Sequence, residues 1–329
     1  MRSVKIIRDK YSLPLLAASL TVFILLPVQL VTEPPLLLLE RLFPGGGFLQ
    51  ILLIAAFAFI MEYNMLITER SGWWRRFSWS LFSVIFFLQL TLGIAVDKIF
   101  LMTGHLHLPV PALIISGPIY RGSFSVMTLI FLSAVFLSGP AWCSQYCYFG
   151  AIDSALAGPK SPVSERRTRR ALRYTFLALS VAVALLLRII GASGETALAA
   201  GIITGVAGLL IIFFISRREK KMIHCTVWCP VGTLVSRLRF VSPFRLKISN
   251  DCTRCMKCST LCRYDALTRE DIAQLKPGNT CTLCGDCISA CRSSSIHYHF
   301  PKMSPSAARK LYITVTVVIY SLVLALARI

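Results

Sequence analysis

The amino-acid sequence predicts an all-α integral membrane protein of about seven transmembrane helices, carrying one small α+β insert on the cytoplasmic side. Three observations carry this. Of the 329 residues, 55% are hydrophobic and only 15% charged, with a mean hydropathy of +0.67, against about 45–50% apolar and about 25% charged in an average soluble domain. The apolar residues come in blocks of roughly 17–24, the length that crosses a hydrocarbon layer of about 30 Å at about 1.5 Å per residue. One polar island, about 243–300, holds eight of the twelve cysteines. Such a composition excludes a soluble enzyme, a disordered chain and a small disulfide-stapled secreted module.

The apolar runs fall at 13–32, 48–67, 78–96, 122–140, 172–190, 197–216 and 311–327. Each is read as a helix because a helix satisfies its own backbone groups within lipid. Between the third and fourth, Asp97 to Arg121 carries Pro109, Pro111 and Pro118 and cannot be a single helix. The first run has the basic start and apolar middle of a signal peptide. Glu33, Pro34 and Pro35 follow it instead of a small-residue cleavage site, so a retained helix is expected.

Charge sets the expected orientation. The formal net charge is +20, and 30 of the 35 Lys and Arg residues fall in one alternating set of loops. That set comprises the N-terminus, Arg70 to Arg76, Lys160 to Arg173, and Arg217 to Lys310. The opposite side carries only Arg41, Lys98, Arg121, Arg188 and Arg328. Basic loops stay cytoplasmic, which places the N-terminus and the island inside and the C-terminus outside. The charge is thus a topology signal, and no nucleic-acid partner is expected. The organisation read from the sequence is helices one and two over 1–77, a transmembrane core over 78–240, the island over 243–300, and a last helix over 301–329.

The island reads Cys252-x2-Cys255-x2-Cys258-x3-Cys262, then Cys281-x2-Cys284-x2-Cys287-x3-Cys291. This doubled run is the two-cluster bacterial ferredoxin pattern, in which the fourth Cys of each run ligates the other cluster. Cys252, Cys255, Cys258 and Cys291 are therefore assigned to one 4Fe–4S centre, and Cys281, Cys284, Cys287 and Cys262 to a second. Structural zinc would want two Cys pairs around one ion, and disulfides are disfavoured in a reducing cytoplasm. Pro normally follows the fourth Cys; here Arg263 and Arg292 do. A guanidinium beside a cluster favours its more negative reduced form, so both centres are expected to lie above low-potential soluble ferredoxins.

The other four cysteines form two hooks, Cys143-x3-Cys147 and Cys225-x3-Cys229, each just past a span. Their flanks align without gaps, Cys147-Tyr-Phe-Gly150 to Leu156 on Cys229-Pro-Val-Gly232 to Leu238, an internal repeat of period 82. Helices three and four are read as the first copy, five and six as the second. An i, i+4 pair on a helix presents both thiols on one side, so two hooks can share one site. A third iron–sulfur cluster or a zinc ion would suit four thiolates. Separate redox thiols and simple packing are the other readings.

Together these features resemble the membrane-bound polyferredoxins similar to NapH, NosR and CcoG. The likeness covers about 120–300, and Cys225 to Pro230 matches the group's Cys-x3-Cys-Pro hook, while the first hook has Tyr148 in place of Pro. The resemblance implies a prokaryotic cytoplasmic membrane and electron transfer between the quinone pool and redox partner subunits of a respiratory complex, as in a quinol dehydrogenase. For CcoG-like members it implies metal reduction during oxidase assembly instead. A membrane redox sensor is the third reading.

Other residues carry weaker signals. Glu62, beside Tyr63 and Asn64 in the second run, is an ionisable group at membrane depth; it is the candidate to take a proton from a quinol, unless it reaches interfacial water. Trp73, Trp74 and Trp79 fit an aromatic belt, and Trp142 and Trp228 either shield a centre or anchor at the interface. None of the five histidines lies where a transmembrane bis-His haem needs it, and His105-x-His107 reads as an outer polar loop. Gly45-Gly46-Gly47 is a turn, and no nucleotide-binding, nucleophile-elbow or zinc-protease motif occurs.

Overall fold

A computed structural model describes residues 2–67, 70–101, 108–124, 126–163 and 170–326. His105 and His107 lie outside the described residues, as do Arg166, Arg167, Arg169 and Arg328. In chain order the elements used below are α1 (Arg2–Val31), α2 (Gly46–Ile67), α3 (Ser71–Ala95), α4 (Leu113–Arg121), α5 (Val126–Ser138), α6 (Tyr148–Ala157), α7 (Arg170–Ile189), α8 (Gly194–Leu210), α9 (Pro230–Leu238), β1 (Arg245–Ile248), α10 (Lys257–Leu261), α11 (Asp286–Ala290), β2 (Ile296–His299) and α12 (Pro305–Leu326).

Seven helical segments among the described residues are long and apolar enough to cross a membrane: Lys10–Val31, Gly46–Ile67, Ser71–Ala95, Met127–Tyr146, Ala171–Ile189, Gly194–Glu219 and Pro305–Leu326. Large apolar side chains such as Phe23, Leu52, Ile203 and Phe214 face outward along them, as helices with lipid for solvent would have them. The third segment starts seven residues before its apolar run, because Trp73, Trp74, Arg75 and Arg76 continue the helix. The fourth is shifted toward its hook, because α4 ends at Gly122 in a left-handed cap, φ +69°. As the prolines require, Asp97 to Arg121 is broken into a short turn at Lys98–Phe100 and the separate helix α4.

The chain divides into two compact units, residues 1–107 with 309–329, and residues 108–308. The first contains α1, α2, α3 and α12. Ala17, Ala58, Met61, Met65, Ile313 and Val317 form one core cluster; Leu25, Leu37, Ile51 and Ala325 form another. Tyr320 of α12 stacks on Phe57 at 5.6 Å and donates its hydroxyl to the Ser78 carbonyl of α3. Arg309 donates to the Met65 carbonyl at 2.9 Å, a cation at the C-terminal end of α2, where the helix dipole favours it. Thus α3 belongs with the first, second and last spans. The sequence groups it with the first hook repeat, and in the structure its contacts run to α12, more than two hundred residues away. Trp79 is fully buried with Arg75 over its ring at 5.6 Å, so it is a packing residue and not part of a belt.

The second unit holds α4 to α9 and the island. The island is closed by an antiparallel β1–β2 pair with Ile248 opposite Ile296 and Leu246 opposite Tyr298. Leu246, Ile248, Ile296 and Tyr298 point inward while Lys247 and His297 face outward, the period-two pattern of a half-buried hairpin.

Candidate electron-transfer site

The two hooks have the same backbone. Trp142–Tyr146 and His224–Trp228 are both wide π-turns, closed by Cys147 N–H to Trp142 carbonyl at 3.0 Å and Cys229 N–H to His224 carbonyl at 2.8 Å. Cys147 (φ −83°, ψ 117°) and Cys229 (φ −78°, ψ 118°) then cap α6 and α9 in nearly identical extended conformations. The repeat is therefore structural at the hooks. The thiols sit on a π-turn and its cap, not on α-helix as the spacing predicts; such turns recur at functional sites. Pro230 is tolerated as the first residue of α9, where no helical N–H is needed, so the Tyr148-for-Pro difference leaves the geometry unchanged.

All four hook cysteines are buried, and they are near one another. Burial pushes the Cys225 thiol well above the ordinary thiol range, and the charges of Asp153, Cys147, Cys229 and Cys143 push it further. Burial likewise lifts Cys147 to about 12 and Cys229 to about 11. Removing protons from such thiols needs a compensating positive charge, which a metal supplies.

Asp153 was not anticipated. It is fully buried on α6 and accepts the Cys225 backbone N–H on Oδ2 at 3.0 Å, so a residue of the first repeat fixes the hook of the second. Burial raises its carboxyl to about 6, against the lowering effect of bonds from Ser216 and Cys225. The available signal was a lone acid in an apolar helix, standing where the second copy has Val235. His224 is also asymmetric, taking the place of Trp142. Its ring is buried against Phe149 at 5.7 Å and over Gly208, where a Cβ would stand 2.8 Å from Cε1. Burial pushes it down to about 4. Trp142 packs edge-on to Phe131 at 4.9 Å and is buried, whereas Trp228 packs against Phe176 at 4.0 Å and is half-buried.

The two island runs superimpose with a constant offset of 29 residues, from Cys252 on Cys281 to Cys262 on Cys291. Left-handed residues recur at that offset: Arg254 with Leu283, Met256 with Gly285, Asp265 with Ser294. Short helices α10 and α11 follow the second left-handed residue in each run. The thiols fall into two groups. Burial raises Cys258 to about 11, and the neighbours that add to it are Cys291, Cys252 and Cys255. Cys287 is raised by burial and then by Cys284, Cys281 and Cys262, with Cys258 beyond them. Cys262, Cys281, Cys284 and Cys287 line one cavity, walled by Leu246, Leu267, Leu283 and Tyr264. Among the described residues no three His, Cys, Asp or Glu side chains are grouped to hold a metal ion directly; these four thiols surround a space instead.

The two arginines after the fourth cysteines differ. Arg292 is exposed. Arg263 is buried, and its Nη1 donates to the carbonyl and hydroxyl oxygens of Ser154 on α6. Arg263 therefore docks the island on the helical core, a contact that exposed Arg292 does not share. Glu62 is buried in the first unit and accepts the Thr314 hydroxyl at 2.6 Å; it does not reach interfacial water. The glycine turn at 45–47 is filled by Glu40, whose carboxylate accepts the N–H groups of Gly45 at 3.1 Å and Gly47 at 2.8 Å.

Comparison with known proteins finds no matching family model, no matching curated protein and no matching solved structure.

Proposed function

We propose that this chain is a multi-pass membrane protein that transfers electrons between a membrane quinone and a redox partner complex, using iron–sulfur centres held by its cysteines. The observation that supports it most directly is the cavity that draws Cys262 from one run and Cys281, Cys284 and Cys287 from the other. That donor set fits a 4Fe–4S centre: four thiols around a mostly apolar cavity. Cys252, Cys255, Cys258 and Cys291 would hold a second such centre, and Cys143, Cys147, Cys225 and Cys229 a third cluster or another metal.

When bound, such clusters supply one-electron redox chemistry that side chains lack. The chain's own residues supply the setting. Leu246, Leu267 and Leu283 wall the cavity, lowering the local dielectric and so tuning potential. Asp153 holds the second hook in place. Glu62, buried beside Thr314, is the candidate to accept a proton released when a quinol is oxidised. The excess of basic residues in one set of loops supports a cytoplasmic N-terminus and island and an outer C-terminus.

The test is iron and acid-labile sulfide on anaerobically purified protein. About eight irons per chain means two centres, and about twelve means that the hooks hold a third. Quinol-driven reduction in purified membranes, lost in Cys284→Ala, would support quinone linkage. Copper-dependent oxidation of the reduced protein without quinol turnover would instead favour a metal-reducing assembly factor. Folded protein free of iron and sulfide would overturn the proposal.

A further inference from the structure

The hooks and the island share one compact unit, and the bonds joining them are unevenly placed. Tyr264, two residues past Cys262, donates its hydroxyl to the Cys143 carbonyl at 3.0 Å. Ser144, next to Cys143, donates to the carbonyl of Thr282, next to Cys281, at 3.1 Å. Met222 N–H reaches the Arg263 carbonyl at 3.1 Å, and Lys221 pairs with Asp265 at 2.8 Å. Every one of these links flanks Cys262 or Cys281. The cysteines that share the cavity are thus pressed against the hook side.

The other group has the one exposed thiol. Cys255 is exposed, whereas Cys252 and Cys291 are partly exposed like Cys262, Cys281 and Cys284, and Cys258 is buried like Cys287. Around Cys255 and Cys291 the residues Thr253, Arg254, Lys257, Arg292 and Ser293 are exposed as well. Among the described residues this rim carries Arg254, Lys257 and Arg292, with Asp251 as a carboxylate in the same run.

Resting on the electron-transfer reading above, we infer that the centre held by Cys262, Cys281, Cys284 and Cys287 is the inner station, next to the hooks. The centre held by Cys252, Cys255, Cys258 and Cys291 is the outer station, and it meets a soluble, acidic one-electron carrier protein on the Arg254, Lys257 and Arg292 rim. One electron crosses from the inner group to the outer and then to the oxidised carrier, which is reduced by one; no covalent bond or proton changes hands at the rim. Cationic rims steer anionic partners at low salt and lose that advantage as salt rises.

The test uses the full chain in nanodiscs, prepared anaerobically, with iron, sulfide and the reduced-state paramagnetic spectrum recorded first. Absence of iron–sulfur signals defeats the electron-transfer reading itself and this inference with it. With both signals present, the conservative variants Cys255→Ser and Cys284→Ser assign them. An aqueous paramagnetic relaxant, dysprosium-EDTA, should then speed relaxation of the signal altered by Cys255→Ser more than that of the one altered by Cys284→Ser. An equal effect on both signals, or a larger one on the second, overturns the order of stations. For the rim, electron transfer from the reduced chain to oxidised plastocyanin, an acidic carrier, should outpace transfer to oxidised cytochrome c, a basic one, at low ionic strength. The double variant Arg254→Glu/Lys257→Glu should reverse that preference with its spectrum unchanged. Equal rates, or a preference the charge reversal does not move, overturns the docking assignment.

Discussion

Ser144, one residue past a hook cysteine, donates its hydroxyl to the carbonyl of Thr282, one residue past an island cysteine, across 138 positions of chain. Both residues are buried. Ser144→Ala removes the donor and leaves a buried carbonyl short of a partner, at a cost of about 1 kcal/mol. A lower denaturant midpoint for release of the island, with iron content retained, is the expected result; an unchanged midpoint would show that this bond does not hold the island.

Arg263 and Arg292 occupy equivalent places in the two runs but different surroundings. Arg263→Gln should destabilise the second unit by about 1–3 kcal/mol, because it strips buried Ser154 oxygens of a charged donor. Arg292→Gln, at an exposed position, should stay within about 0.5 kcal/mol of the parent. Unfolding curves of the two variants, run side by side, decide it.

Gly285 has φ +80°, and a Cβ there would lie 2.5 Å from the Tyr298 hydroxyl, which donates to the Leu283 carbonyl at 2.8 Å. Gly285→Ala should cost about 1–2 kcal/mol in the left-handed backbone and displace that hydroxyl as well. Its run-mate Met256 carries a side chain at φ +62°, so the crowding and not the backbone alone sets the defect. Lower iron per chain in Gly285→Ala, partly restored by adding Tyr298→Phe, is expected.

In metal-free protein the thiols should titrate in order of exposure. The Lys257 backbone N–H, then the Thr253 side chain, hold the exposed Cys255 below the usual thiol value, while burial raises Cys281 to about 11 and Cys147 to about 12. The thiolate is the reactive form, so alkylation at about pH 7–8 should label Cys255 first, with the hooks reacting only as pH rises toward about 10 and beyond. Peptide mapping by mass spectrometry reads this order; early labelling of Cys147 would contradict the buried hook site.

Glu62 and Thr314 join α2 to α12 inside the first unit. Glu62→Gln keeps a side-chain oxygen for the hydroxyl and should be close to neutral for stability. Thr314→Val leaves the carboxyl group without that donor and should cost about 1–3 kcal/mol. If Glu62 takes the quinol proton, Glu62→Gln slows quinol-driven reduction while folding is intact; unimpaired reduction would remove it from the pathway.

The seven long apolar helices were legible in the sequence because the property that defines them, an unbroken apolar stretch of bilayer length, is local. The island runs and the hooks were legible for the same reason: cysteine spacing is set within a dozen residues. Only the tertiary structure decided what meets what. It put α3 with α12, gathered hooks 82 residues apart, and set Asp153 under Cys225. It also turned Arg263 into a docking residue and left Arg292 in solvent. Periodicity and spacing record which side chains a segment carries, whereas the partner of each buried polar group is chosen when distant segments exclude water together, and no local pattern encodes that choice.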